Sequence, residues 1–285
     1  MKTYQQLWQS LTPLYDADEA KAIVRTILDV KYGMTFTDII CGKVTELSAD
    51  EGIKLEEIIN RLQKAEPVQY VLGEADFAGR RFHVEPGVLI PRPETAELCR
   101  WIEADTALGT MQILDICTGS GCIAITLALD LPHATVTGWD ISQDALRIAQ
   151  NNVTLQDAEN VTIAYQDALA LPKASESSHA EKWDIIVSNP PYICDKERDD
   201  MEQNVLEYEP SIALFVPDED PLRFYRAIAE YASIALKPRG ALYFEINPLY
   251  EQAMREMLQG LGFTDITTQK DSFGKNRMMR AIRLS

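Results

Sequence analysis

From Tyr4 to Lys64 apolar side chains recur at helical spacing. In the stretch from Ala17 to Leu28, residues Ala20, Ile23, Val24, Ile27 and Leu28 fall on one face, as in a helix packed against a core. Ser48, followed three positions later by Glu51, reads as a capping box that opens another helix. A small helical domain is therefore expected over residues 1–68. Between Gln69 and Pro91 aromatic and β-branched residues are broken by Gly73, Gly79 and Gly87, which predicts a structured β-hairpin linker over residues 69–90.

After Ala104 the pattern alternates. Met111–Ile116, Ala134–Asp140, Val161–Tyr165, Trp183–Ser188 and Gly240–Ile246 read as short apolar strands, with helical segments at Cys122–Leu131 and Asp144–Leu155 between the first of them. Such alternation predicts an α/β fold over residues 91–285, a doubly wound, mainly parallel sheet. The stretch Ala174–Glu181 lacks apolar anchors and is expected to be a solvated loop. Cys194–Pro217 is expected to be a longer polar connection.

A chain of 285 residues, 46% hydrophobic and 25% charged, accommodates two modest cores. No apolar run approaches the roughly 20 residues of a membrane span, and the start Met1-Lys2-Thr3-Tyr4-Gln5-Gln6 is too polar for a secretory signal. A soluble cytoplasmic protein without membrane contact is expected. The five cysteines, Cys41, Cys99, Cys117, Cys122 and Cys194, include no CxxC pair and suit neither a disulfide framework nor a zinc site, so no metal is expected. A formal charge of −17 with only 27 Lys and Arg argues against non-specific binding to a nucleic-acid backbone. The acidity is read as serving solubility rather than a basic partner.

The first strand runs through Asp115-Ile116-Cys117-Thr118-Gly119-Ser120-Gly121 into a helix, and Gly119 and Gly121 allow a tight turn and close approach of a ligand. This loop alone does not separate a dinucleotide from another adenosine cofactor. Asp140 closes the second strand about 20 residues later, where a carboxylate can accept hydrogen bonds from ribose hydroxyls; the alternative is an ordinary capping aspartate. Asp167 follows the third strand, either near an adenine amino group or as a turn aspartate.

The fourth strand delivers Asn189-Pro190-Pro191-Tyr192, the most specific feature of the chain. Two prolines stiffen the turn and hold Asn189 at the carboxyl end of the sheet. The Asn189 side-chain carbonyl and the Pro190 backbone carbonyl can accept from a substrate NH2, while Tyr192 offers a flat face to a planar group. An amide nitrogen is a poor nucleophile because its lone pair is delocalised. Acceptors that hold both N–H bonds orient it toward a sulfonium methyl and stabilise the developing positive charge, without a strong base.

Together these marks resemble the release-factor glutamine methyltransferases (PrmC, formerly HemK). The shared stretches are Gln69–Gly73, Leu89–Thr95 (Leu-Ile-Pro-Arg-Pro-Glu-Thr), Asp115–Gly121, Asn189–Tyr192 and Glu207–Pro210, in the family's order. The resemblance implies a Rossmann-like class I methyltransferase sheet preceded by a helical substrate-recognition domain. It implies methylation of N5 of the glutamine in the Gly-Gly-Gln motif of peptide-chain release factors, with S-adenosylmethionine as cofactor and S-adenosylhomocysteine as coproduct. Cofactor contacts are expected at Cys117, Thr118, Gly119, Ser120, Gly121, Asp140, Asp167, Ala168 and Asn189. Asn189 and Pro190, with Pro191 and Tyr192 beside them, are expected to hold the glutamine amide. Arg92 either shapes the substrate side or ties the hairpin to the loop containing Glu207 and Glu209; the tie is the favoured reading. The chain departs from the family at Cys117, where glycine is usual and a slightly displaced turn is expected, and at Ala168, where relatives can carry an aromatic residue.

Three other readings compete. An adenine-N6 DNA methyltransferase faces the same nucleophile problem but must hold a polyanion and flip a base, which the charge disfavours. An NAD-dependent dehydrogenase leaves Asn189–Tyr192 unexplained, and His83, His133 and His179 lie where surface histidines are expected. A non-catalytic translation partner that keeps the fold is opposed by the glycine loop, Asp140 and Asn189. A monomer is expected.

Overall fold

The computed structural model describes residues 2–106, 109–172 and 180–284. The expected loop at Ala174–Glu181 therefore lies mostly outside the described residues, as does His179. The chain forms two compact units, Met1–Glu74 with Glu202–Tyr208, and Ala75–Met201 with Glu209–Ser285. Residues 75–90, expected as a linker, group with the second unit.

The first unit contains α1 (Tyr4–Gln9), α2 (Ala17–Tyr32), α3 (Phe36–Ile40), α4 (Ala49–Leu62) and α5 (Val68–Leu72). Asp16 caps α2 through the amides of Asp18 and Glu19, and Gly33, at φ 61°, ends it. Ala20, Val24, Ile27 and Leu28 are buried as the pattern predicts, and Ile23 packs at the margin of the same core. The Ser48–Glu51 capping box forms, with the Glu51 amide donating to Ser48 Oγ at 3.3 Å and the Ser48 amide donating to Glu51 at 2.8 Å. Gln69–Leu72, read as the start of a hairpin, is instead the short helix α5. Val71 and Leu72 join the helical core there, and Gly73 at φ 75° closes the turn. Burial of that apolar pair outweighs the strand preference of a β-branched and aromatic stretch.

The hairpin proper is β1 (Glu74–Phe77) and β2 (Arg80–His83), joined at Ala78 and Gly79, both with positive φ. The chain continues through α6 (Pro93–Asp105), β3 (Met111–Ile116), α7 (Cys122–Asp130), β4 (Ala134–Asp140), α8 (Gln143–Leu155), β5 (Val161–Tyr165), β6 (Trp183–Ser188) and β7 (Ile193–Cys194). Next come α9 (Gln203–Tyr208), which groups with the first unit, and β8 (Phe215–Val216). The chain ends in α10 (Arg223–Ala235), β9 (Leu236–Glu245), α11 (Glu251–Gly260), β10 (Phe263–Lys270) and β11 (Asn276–Arg283).

The large sheet has the order β10-β11-β9-β6-β3-β4-β5. β9, β6, β3, β4 and β5 are parallel, whereas β11 pairs antiparallel with both β9 and β10. Successive strand residues point to opposite faces: Ile113 and Ile185 pack with α6 and α7, and Leu114 and Ile186 pack with α10 and α11. Both faces are thus covered, and continuous apolar strands result. Strand order reverses at β3, between β4 and β6, which opens a crevice at the carboxyl ends of those strands. Cys194–Pro217, expected to be a polar connection, contains β7 paired in parallel with β8, the helix α9 and two short 3-10 turns. No helix among the described residues is long and apolar enough to cross a membrane.

Candidate active site

The crevice holds a cavity of about 270 Å³, lined within the second unit by Cys117–Ser120, Asp140, Asp167, Ala168, Asn189 and Pro191. Thr95 and Arg92 complete its polar wall, and Val88, Ile141, Leu169, Ile212 and Phe224 supply apolar surface.

After β3 the backbone turns left-handed at Cys117 (φ 64°), Gly119 (φ 55°) and Gly121 (φ 80°). Cys117 thus keeps the conformation that glycine adopts freely, at a cost of about 1 kcal/mol for an L side chain. Burial pushes its thiol well above the ordinary range, with Asp140 and Asp115 adding to the effect, so Cys117 is a neutral wall and no nucleophile. The loop is latched at two points. The Thr118 hydroxyl donates to Asp115 Oδ2 at 2.6 Å, and the Gly119 amide donates to Asp140 Oδ2 at 2.9 Å. Asp140 Oδ1 accepts from the Ser142 amide at 2.9 Å. Burial raises the Asp140 carboxyl, and the backbone amides of Ser142, Gly119 and Ile141 oppose that shift. Burial pushes the Asp115 carboxyl up to about 7 against the bonds from Thr118 and the Ala124 backbone.

Above Gly119 a Cβ would meet nothing within 4 Å, whereas at Gly121 it would lie 3.1 Å from Ile125 and 3.3 Å from Ala149. Gly121 therefore serves close packing of α7 on α8 and does not line the cavity, although it was expected among the cofactor contacts. Asp167 accepts from the Leu169 amide at 2.8 Å, an Asx turn that keeps Asp167 and Leu169 at the rim.

At the end of β6 the Ser188 hydroxyl donates to the Ile116 carbonyl at 2.5 Å and fixes the strand beside the glycine loop. Asn189 follows. Its Nδ2 donates to Thr95 Oγ1 at 3.3 Å, and Thr95 Oγ1 donates to Glu245 Oε2 at 2.5 Å. Tyr192 Oη donates to the other oxygen, Glu245 Oε1, at 2.9 Å. Glu245 is buried, which raises its carboxyl, while the Thr95 and Tyr192 bonds and Arg277 pull it back and Glu94 adds to the rise. Burial and Glu245 push the Tyr192 phenol well above its usual range. Neither Tyr192 nor Pro190 lines the cavity: the ring of Tyr192 packs against the core under α10 and α11, and Pro190 is buried.

Arg92 Nη2 contacts Glu209 Oε1 at 2.5 Å, and the Ile90 amide donates to Glu209 Oε2 at 3.0 Å. The expected tie exists toward Glu209, and Arg92 also faces the cavity. Glu207 takes no part in it and instead accepts from Gln203 at 2.6 Å. His83 lies on β2, 3.8 Å from Glu85, and His133 sits between α7 and β4; neither reaches the cavity. Thr95 and Glu245 were missed in the sequence because they are 150 residues apart. Thr95 lies inside the Pro-Arg-Pro-Glu-Thr signature, but nothing local announces its partner.

Comparison with known proteins bears on the fold and the family. Residues 109–270 match a family model described as a methyltransferase domain, and residues 8–73 match one described as the PrmC N-terminal domain. A release factor glutamine methyltransferase of Bacteroides thetaiotaomicron is 50% identical over 96% of this chain and 97% of its own length. One of Streptococcus pneumoniae is 40% identical over 92% of this chain and 91% of its own. Among solved structures, a methyltransferase from Pyrococcus furiosus shares the fold, with a TM-score of 0.50 at 18% identity over 72% of this chain and 89% of that one. With the cleft, the parallel sheet and near-full-length relatives in agreement, the chain belongs to the release factor glutamine methyltransferase family.

Proposed function

We propose that this chain transfers a methyl group from S-adenosylmethionine to N5 of the glutamine in the Gly-Gly-Gln motif of peptide-chain release factors. The observation that carries the reading is the meeting of Asn189, the Cys117–Ser120 turn and Asp140 in one cleft at the carboxyl edge of the parallel strands.

The residues present fit the cofactor. The space above Gly119 is open, a carboxylate stands beside it at Asp140, and Val88, Ile141, Ala168 and Leu169 form apolar walls suited to a flat base. Asp140 would hold the ribose hydroxyls, and the Thr118–Ser120 backbone would border the amino-acid end. Bound there, S-adenosylmethionine would supply an electrophilic sulfonium methyl, with S-adenosylhomocysteine as the coproduct.

The side chains then need to orient an amide nitrogen rather than to deprotonate it. Asn189, which lines the cleft, accepts one N–H bond of the glutamine side chain at Oδ1, and the backbone carbonyl of Pro190, whose buried ring stays outside the cleft lining, accepts the other, which aims the nitrogen and stabilises the positive charge that develops on it. Held in this way, the nitrogen is brought to the methyl by positioning, which supplies most of the rate. Water takes the proton from the resulting cationic amide. Pro191 and Tyr192 hold the turn that carries both acceptors. The reading includes a cytoplasmic monomer that meets the release factor without contacting nucleic acid; the relatives give no support to DNA methylation.

Mass spectrometry of a release factor incubated with this protein and S-adenosylmethionine tests the reading. A methyl increment on the Gly-Gly-Gln glutamine is expected, and Asn189→Ala should slow its appearance by about a hundredfold or more while leaving a measurable residual rate. Absence of the increment on folded release factor, from protein that still binds the cofactor, would overturn the assignment.

A further inference from the structure

We infer that Thr95 and Glu245 are positioning residues that fix the side-chain amide of Asn189 with its carbonyl oxygen toward the substrate, through the chain Asn189 Nδ2 to Thr95 Oγ1 to Glu245 Oε2. The inference rests on the proposed role of Asn189 as acceptor for the glutamine NH2.

The count of hydrogen-bond donors fixes this orientation. An ionised carboxylate carries no hydrogen and can only accept, and the two hydroxyls together with Arg277 favour that form of Glu245 against its burial. Glu245 accepts from Thr95 at one oxygen and from Tyr192 at the other, so both neighbours point their single hydroxyl hydrogens at it. Thr95 Oγ1 then has only lone pairs left for Asn189. An asparagine amide presents either its oxygen or its nitrogen to such a neighbour, and only the nitrogen can donate to a lone pair. Asn189 Oδ1 is thereby turned away from Thr95. The reverse orientation would offer N–H groups to the NH2 of an incoming glutamine, donor against donor.

The geometry favours a dedicated device over chance packing. Thr95, on α6, and Glu245, at the end of β9, are each 3% exposed. Thr95 also lines the cleft beside Asn189, whereas Glu245 lies behind it. A buried carboxylate is costly unless its oxygens are satisfied, and here both side-chain oxygens are engaged by hydroxyls that neighbour the substrate turn. The same carboxylate thus anchors Tyr192 and, through Thr95, Asn189, the two ends of the Asn-Pro-Pro-Tyr turn.

The test is a double-mutant cycle on the full chain, read as single-turnover methyl transfer to a release factor, with S-adenosylhomocysteine affinity by calorimetry as the control. Thr95→Val should slow transfer about tenfold with cofactor affinity unchanged, and Thr95→Ser, which keeps the hydroxyl, should stay close to wild type. Because Thr95 acts through Asn189, adding Thr95→Val to Asn189→Ala should cause no further loss in the residual rate. Multiplying losses in the double variant, or full activity of Thr95→Val beside an inactive Asn189→Ala, would overturn this inference alone. Full activity of Asn189→Ala would overturn it together with the proposed acceptor role. Should Thr95→Val fold poorly, Thr95→Ala, which also removes the hydroxyl, reads the same coupling in the same cycle.

Discussion

The Gly119 amide donates to Asp140 Oδ2 at 2.9 Å, which joins the turn after the first strand of the parallel series to the end of the second. Asp140 has its other oxygen on the Ser142 amide, so the carboxylate is held from both sides before any ligand arrives. Such a group is preorganised, and a cofactor hydroxyl meets an acceptor whose orientation is already fixed. Asp140→Ala is therefore expected to weaken S-adenosylhomocysteine binding at least tenfold, about the worth of one or two hydrogen bonds to a charged group. Calorimetry with the coproduct checks this. Unchanged affinity would remove Asp140 from the cofactor site.

Asp115 predicts a pH signature. Its carboxyl is fully buried and raised to about 7. Between the unfolded value near 3.8 and that folded value the native state binds the extra proton, so stability contributed by this group falls as pH rises through the interval. Above about pH 7 the fold holds a buried charge that costs up to a few kcal/mol. Asp115→Asn keeps an acceptor for the Thr118 hydroxyl and removes the charge. Its stability relative to wild type should rise from pH 5 to pH 8, measured by urea unfolding at each pH, and a difference that stays flat would refute the assignment.

Much of the fold was legible because the central parallel strands β3 and β6 are buried on both faces. Met111–Ile116, Ala134–Asp140, Val161–Tyr165 and Trp183–Ser188 appear with the expected bounds, since a short apolar run flanked by turn residues is a clear signal. The antiparallel pair β10 and β11 was not read. In β10 polar residues such as Thr264, Asp265, Thr267 and Thr268 dilute the strand pattern, and the pairing is irregular there. β9 begins earlier than expected because Leu236, before Pro238 and Gly240, pairs with Trp183 across an irregularity. In the site, the glycine turn and Asn189 stood out because they are contiguous motifs at strand ends. The Asn189–Thr95–Glu245 chain did not, because its members come from the turn after β6, from α6 and from β9 and meet only after the sheet has formed.

Gly138 tests how tightly the glycine turn is backed. It lies mid-strand in β4, paired with Asp115 and Ile163, and a Cβ there would sit 2.8 Å from Thr118 Oγ1 and 2.9 Å from Ile163 Cδ1. Thr118 cannot withdraw freely, because its hydroxyl is committed to Asp115 and its amide donates to the Trp139 carbonyl. Gly138→Ala should cost about 1–3 kcal/mol of stability and also weaken cofactor binding, since relief of the clash moves the turn. Chemical denaturation and calorimetry read the two effects. A loss of stability with undisturbed binding would show that the strand, not the turn, gives way.

Arg92 faces the cleft and is paired with Glu209 behind it, and sequence alone leaves the purpose of the pair open. The Glu209 side chain is 1% exposed and has two partners, the Arg92 guanidinium and the Ile90 amide. Arg92→Ala leaves a buried carboxylate with one donor and no counter-charge. The expected cost is about 1–3 kcal/mol, below that of a fully buried pair because the Arg92 side chain is 32% exposed. If charge burial is the cause, Glu209→Gln should restore part of the loss when added to Arg92→Ala, since a neutral amide still accepts from Ile90 and needs no cation. Methyl transfer then separates the two roles left open for Arg92. Recovery of activity along with stability in the double variant would make Arg92 a structural tie. A double variant that is stable but remains slow would place the guanidinium on the substrate itself.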